Sequence, residues 1–164
     1  MALTTDVHIV RYGTPGNGEQ DLNFPMGAGP LVIYRGSIAL TDATGLLKNS
    51  ASPLTTDTCW GVIDDVVPVG STIAGGPGIT GGTTAGSVTV DVMTGSFYLA
   101  SGTGADACTA ANVGATVYVI NETTVGLVST GRPKAGVMIA YDNTRTDALG
   151  PVVVKLNGAG VAGP

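Results

Sequence analysis

Glycine and proline interrupt this chain too often for a helical fold. There are 26 glycines and 9 prolines in 164 residues, about a fifth of the positions, against an ordinary share of roughly 12%. Glutamate occurs twice, glutamine once and lysine three times, and exposed helix faces are built from these residues. Valine, isoleucine and threonine crowd the sequence instead, as a pleated, half-buried surface prefers. A helix bundle and a coiled coil are therefore excluded, and an all-β chain is expected. Hydrophobic residues make up 43% of it, enough for the packed core of one domain.

The periodicity divides the chain into three parts. Residues 1–30 show neither period 2 nor period 3.6. They read as an extended N-terminal arm carrying scattered apolar anchors: Val7, Ile9, Tyr12, Leu22 and Phe24. A free tail seldom carries so many large apolar side chains. From Leu31 strands and turns alternate up to residue 156. Residues 31–40 form a strand candidate punctuated at Arg35-Gly36. Asp42-Ala-Thr-Gly45 is a turn, with Asp at its first position and Gly at its last. Residues 59–67 (CWGVIDDVV) are an apolar run stopped by Pro68, and residues 70–86, with seven glycines, read as a surface loop. Residues 87–92 (SVTVDV) alternate strictly, so Val88, Val90 and Val92 should face the core and Thr89 and Asp91 the solvent. Further strands are expected at 96–100, 115–120, 125–129, 134–141 and 151–156. A single helical turn is expected at 109–114, capped by Thr109 and ended by Gly114. About eight short strands this close together fit a compact β-barrel or sandwich over residues 31–156. Residues 157–164, rich in Gly and Ala, form a flexible tail.

Charge limits the partners. Seven basic residues against twelve acidic ones give a net charge of −5, and no two basic residues are adjacent. Phosphate backbones and anionic lipid surfaces require clustered cations, so neither nucleic acid nor a membrane surface is an expected partner. No apolar run approaches the ~18 residues of a membrane-spanning helix. The first ten residues lack a basic n-region and a long apolar h-region, so they do not read as a secretory signal. Cys59 and Cys108 are far apart; two buried thiols and, in an oxidising compartment, a disulfide are both open.

Catalytic chemistry finds few carriers. The sole histidine, His8, lies in the arm, without the support that a triad needs. One histidine and two distant cysteines supply no zinc pattern, and no calcium loop occurs, so no metal or other cofactor is expected. Asp64 and Asp65 are adjacent, and neighbours on a strand point to opposite faces. Gly76-Pro-Gly-Ile-Thr-Gly81 matches the letters of a dinucleotide fingerprint but is followed by a strand, where that motif must open a helix. Asn121-Glu-Thr123 matches a glycosylation sequon and is read as chance. The chain is therefore read as a binding domain and not an enzyme.

Five segments follow one another in a familiar order: 32–45 (VIYRGSIALTDATG), 60–65 (WGVIDD), 88–97 (VTVDVMTGSF), 111–119 (ANVGATVYV) and 135–140 (AGVMIA). This succession, over residues 31–156, resembles the capsid cement, or head decoration, proteins of tailed bacteriophages. The arm before Leu31, the Gly-rich loop 70–86 and residues 142–150 depart from that pattern. The resemblance implies a structural virion protein, made in the bacterial host's cytoplasm. It would bind the exterior of the phage head and stabilise the lattice of the major capsid protein. It also implies a homo-oligomer, a trimer rather than a dimer. The arm departs from the family, and its own composition, apolar anchors on a Gly- and Pro-rich strap, marks it as a docking element that grips a neighbouring copy or lies across the capsid surface. The competing reading is a tail or fibre β-domain that binds a host surface glycan. Only one Trp, five Tyr and two Phe are available as stacking platforms for such a ligand.

Overall fold

The computed structural model describes residues 3, 21–63, 78–145 and 150–156. These residues form twelve strands and two single 3-10 turns, so the chain is all-β. The strands are β1 (Asp21–Pro25), β2 (Val32–Ile33), β3 (Ile38–Thr41), β4 (Leu47–Lys48), β5 (Thr58–Ile63), β6 (Ile79–Thr80), β7 (Thr89–Met93), β8 (Ser96–Ser101), β9 (Thr116–Val119), β10 (Thr124–Gly126), β11 (Lys134–Tyr141) and β12 (Val152–Leu156). The count exceeds the expected eight for local reasons. The first apolar run breaks into β2 and β3, β4 follows the Asp42 turn, and two further strands lie where none was expected.

The C-terminal half closes into a five-stranded barrel in the order β10-β8-β12-β11-β9. Only the β10–β8 pair is parallel. Barrel closure removes sheet edges that would otherwise invite pairing with other chains. The N-terminal half is a five-stranded sheet, β1-β7-β5-β3-β4. It curls until its ends meet: Met26, directly after β1, bridges Leu47 of β4, and Gly27 N–H donates to the Leu47 carbonyl at 3.1 Å. A small β2–β6 ribbon lies alongside.

Two apolar clusters fill these shapes. The larger draws Phe97, Leu99, Val117, Val119, Met138, Val152 and Val154 from the barrel, together with Ile38, Leu40, Cys59, Val62 and Met93 from the sheet. The smaller sits inside the curled sheet and holds Met26, Ile33, Ala39, Leu47, Ile63, Val90 and Val92. Strand β3 is buried throughout because Ile38 and Leu40 serve the first cluster while Ala39 serves the second. The two halves thus share one wall. The chain passes between them at Gly95, whose φ of 130° is open to glycine and strained for other residues. At Gly136 a side chain would strike the backbone of Lys155 on the neighbouring strand.

Several expected turns form as read. Asp42 Oδ1 accepts from Thr44 N–H at 2.8 Å, Thr44 Oγ1 at 2.6 Å and Leu46 N–H at 3.2 Å. Asp142 repeats the device with Thr144. The helical turn at 109–114 is a 3-10 turn over Ala110–Asn112; there the Thr109 hydroxyl donates to Asn112 Oδ1 at 2.8 Å.

Two expectations are corrected. Residues 70–86 are not all loop, since Ile79 and Thr80 pair with Ile33 and Val32. The arm does not extend to residue 30. Asp21–Pro25 is an integral strand of the sheet, with Leu22 opposite Val92 and Phe24 opposite Val90. Its flanking glycines and prolines hid a short alternating segment, which an edge position with one paired side tolerates.

Candidate functional site

The five anchors read from the arm separate into two groups. Val7, Ile9 and Tyr12 lie outside the described residues, as do His8, Asp64, Asp65 and the C-terminal tail. Leu22 is half-buried on β1. Phe24 packs against Trp60 with ring centroids 4.7 Å apart, tilted by 49°, and borders the smaller core cluster. Trp60 is fixed in turn by its Nε1–H, which donates to Thr41 Oγ1 at 2.7 Å. Phe24 is therefore engaged by the chain's own core, and that accounts for an aromatic residue in a Gly- and Pro-rich stretch.

Neither thiol is poised for chemistry. Cys59 and Cys108 are both free and buried. Burial pushes the Cys59 thiol up to about 12. Burial also raises Cys108, assisted by the nearby Asp106 carboxylate and opposed by a hydrogen bond with Ser101. Thiols so shifted are not nucleophiles at neutral pH. Among the described residues no group of three His, Cys, Asp or Glu side chains could hold a metal ion. No helix among them is long and apolar enough to cross a membrane.

The charged pairs bind the chain to itself. Asp106 Oδ1 accepts from Arg132 Nη1 at 2.6 Å and from Val128 N–H at 3.0 Å. The Arg132 hydrogen bond, helped by Val128 N–H and the Arg132 charge, holds this carboxyl below its usual range against the opposing desolvation. Lys48 Nζ meets Asp57 Oδ2 at 2.8 Å, and Leu54 N–H donates to the same oxygen. Arg145 lies over the Tyr98 ring at 4.1 Å from its centroid.

Glu122 is only 1% exposed. It sits in the turn between β9 and β10, with its backbone carbonyl accepting from Ile38 N–H at 2.6 Å. Oε1 accepts from Leu3 N–H at 3.0 Å, and Oε2 has no hydrogen-bond partner. Within the sequon, Asn121 is half-buried and its Oδ1 accepts from Thr123 N–H at 3.1 Å.

The remaining surface feature is apolar. Among the described residues the large hydrophobic side chains left exposed are Leu54 (56%), Val113 (49%) and Ile139 (38%). Val113 and Ile139 belong to one region, because Gly114 N–H donates to the Met138 carbonyl at 2.8 Å. Sequence reading missed this pair. Val113 lay in the expected helical turn and Ile139 in an expected strand, and neither periodicity marks a residue as uncovered.

Comparison with family models, curated proteins and solved structures returns no match.

Proposed function

We propose that the chain is a structural virion protein of the head decoration type, which binds the exterior of an assembled phage head and stabilises its lattice. The observation that carries this reading is the ordered set of five segments at 32–45, 60–65, 88–97, 111–119 and 135–140. They supply β2 and β3, most of β5, all of β7, the start of β8, β9 and the middle of β11, and so frame both halves of one body. Gly95 and Gly136, which recur in that resemblance, occupy the crossing between the halves and a close backbone approach. Inert thiols and carboxylates engaged in turns and ion pairs are in keeping with a binding role.

The mechanism is linkage. A protein that binds the expanded lattice and not its dissociated subunits stabilises the lattice by about 2.7 kcal/mol per site at a free concentration one hundred times Kd. Many equivalent sites on one shell multiply the effect, and a closed homotrimer suits a local symmetry axis. The test uses expanded, DNA-filled heads that lack the protein. Added protein should sediment with the heads at a fixed ratio and raise the temperature at which they release DNA. Heads that neither bind the protein nor gain heat resistance would reject the reading.

A further inference from the structure

The five barrel strands, SFYLAS, TVYV, TVG, KAGVMIAY and VVVKL, contain no aspartate or glutamate, although the chain holds twelve carboxylates. They do contain Lys134 and Lys155, both exposed. Lys48 pairs with Asp57 and Arg132 with Asp106, and neither barrel lysine takes part in these pairs. Asp142, directly after β11, holds Thr144 through Oδ1, and its Oδ2 lies 3.5 Å from the Tyr98 hydroxyl on β8, at the end of β11 away from Lys134.

Register places the lysines around an apolar centre. Lys155 stands opposite Val137, so the two side chains share the outer face of the barrel. Lys134 stands opposite Tyr118 on β9. Between Met138 and Ala140 the β11–β12 register shifts, leaving Ile139 as the unpaired residue of a bulge. Bulges re-aim side chains, and Ile139 is exposed here; its neighbour Met138 accepts at its carbonyl from Gly114 N–H, one residue after the exposed Val113.

We propose that this outer face, formed by Lys134, Val137, Ile139 and Lys155 with Val113, is the surface that docks on the head. Its occupant is a protein surface with an apolar centre flanked by carboxylates. The inference rests on the head decoration reading and names the surface used. A chain of net charge −5 is repelled by an acidic partner over most orientations, and a face free of carboxylates selects one. A second copy docked on the same patch by two-fold symmetry would bring lysines against lysines, which disfavours that occupant.

The test compares binding to expanded heads lacking the protein, by co-sedimentation at low and at physiological salt. Three variants are used beside the wild type: Lys134→Gln/Lys155→Gln, Lys134→Arg/Lys155→Arg, and Ala43→Glu/Thr83→Glu, which changes exposed residues on the other half of the molecule. The first and third carry the same net charge. The glutamine pair should lose at least tenfold in affinity and show a shallower salt dependence. The arginine pair should bind within about threefold of wild type, and the distant glutamate pair should lose less than threefold. Equal losses in the glutamine and glutamate pairs, or none in the glutamine pair, would overturn the face while leaving head binding intact. Failure of the wild type to bind heads would overturn both proposals.

Discussion

Val90 and Asp91 are neighbours with opposite fates. Val90 is 3% exposed in the smaller cluster, whereas Asp91 faces solvent and accepts from Asn23 Nδ2 at 2.6 Å. Val90→Asp places an unpaired carboxylate in an apolar cluster and should cost several kcal/mol. Asp91→Asn should cost under about 1 kcal/mol, as exposed substitutions do. Thermal unfolding of the two variants checks this; similar melting temperatures would contradict the register. Strict alternation made this strand legible, and Val88, half-buried near the strand's start, marks where the core wall ends. Asp106 adds a pH dependence. Its carboxyl is lowered in the folded chain, first by the Arg132 hydrogen bond. It therefore contributes stability above the unfolded value of about 3.9. That contribution is lost as pH falls through the folded value. Melting temperatures of wild type and Asp106→Asn should differ at pH 7, and the gap should close only as pH falls from about 4 through the lowered folded value; a gap that is constant with pH would contradict the assignment.

At the scale of elements, β1 decides what the N-terminal segment can be. Removing residues 1–27 deletes β1 and also Met26, which is fully buried and joins the sheet's two ends. That truncation should abolish cooperative unfolding. Removing residues 1–20 leaves both and should preserve a cooperative transition, with a modest loss as Glu122 Oε1 forfeits the Leu3 N–H. Trp60 fluorescence follows both cases through its contact with Phe24. Cooperative unfolding after removal of residues 1–27 would show that β1 is dispensable. Turns governed by their own residues, such as Asp42–Gly45, were legible in the sequence. The β2–β6 ribbon and the Met26–Leu47 bridge were not, because one or two residue pairs separated by long loops leave no periodic trace. The Ile139 bulge was hidden for a related reason. It is a property of the β11–β12 pairing, and KAGVMIAY reads as strand with or without it.

For the whole molecule, two small β-shapes share one wall, and the larger cluster takes side chains from both. β3, β5 and the Gly95 crossing tie the halves into one body, and the proposed bridging of capsid subunits would use that connection. Electron cryomicroscopy of the virion, at a resolution that separates strands, decides whether this body sits on the head. Density for the two-part body is expected on the outer face of the head lattice, with the outer surface of β9, β11 and β12 turned toward the major capsid protein. Density for this chain in the tail or fibres, or its absence from the particle, would contradict it.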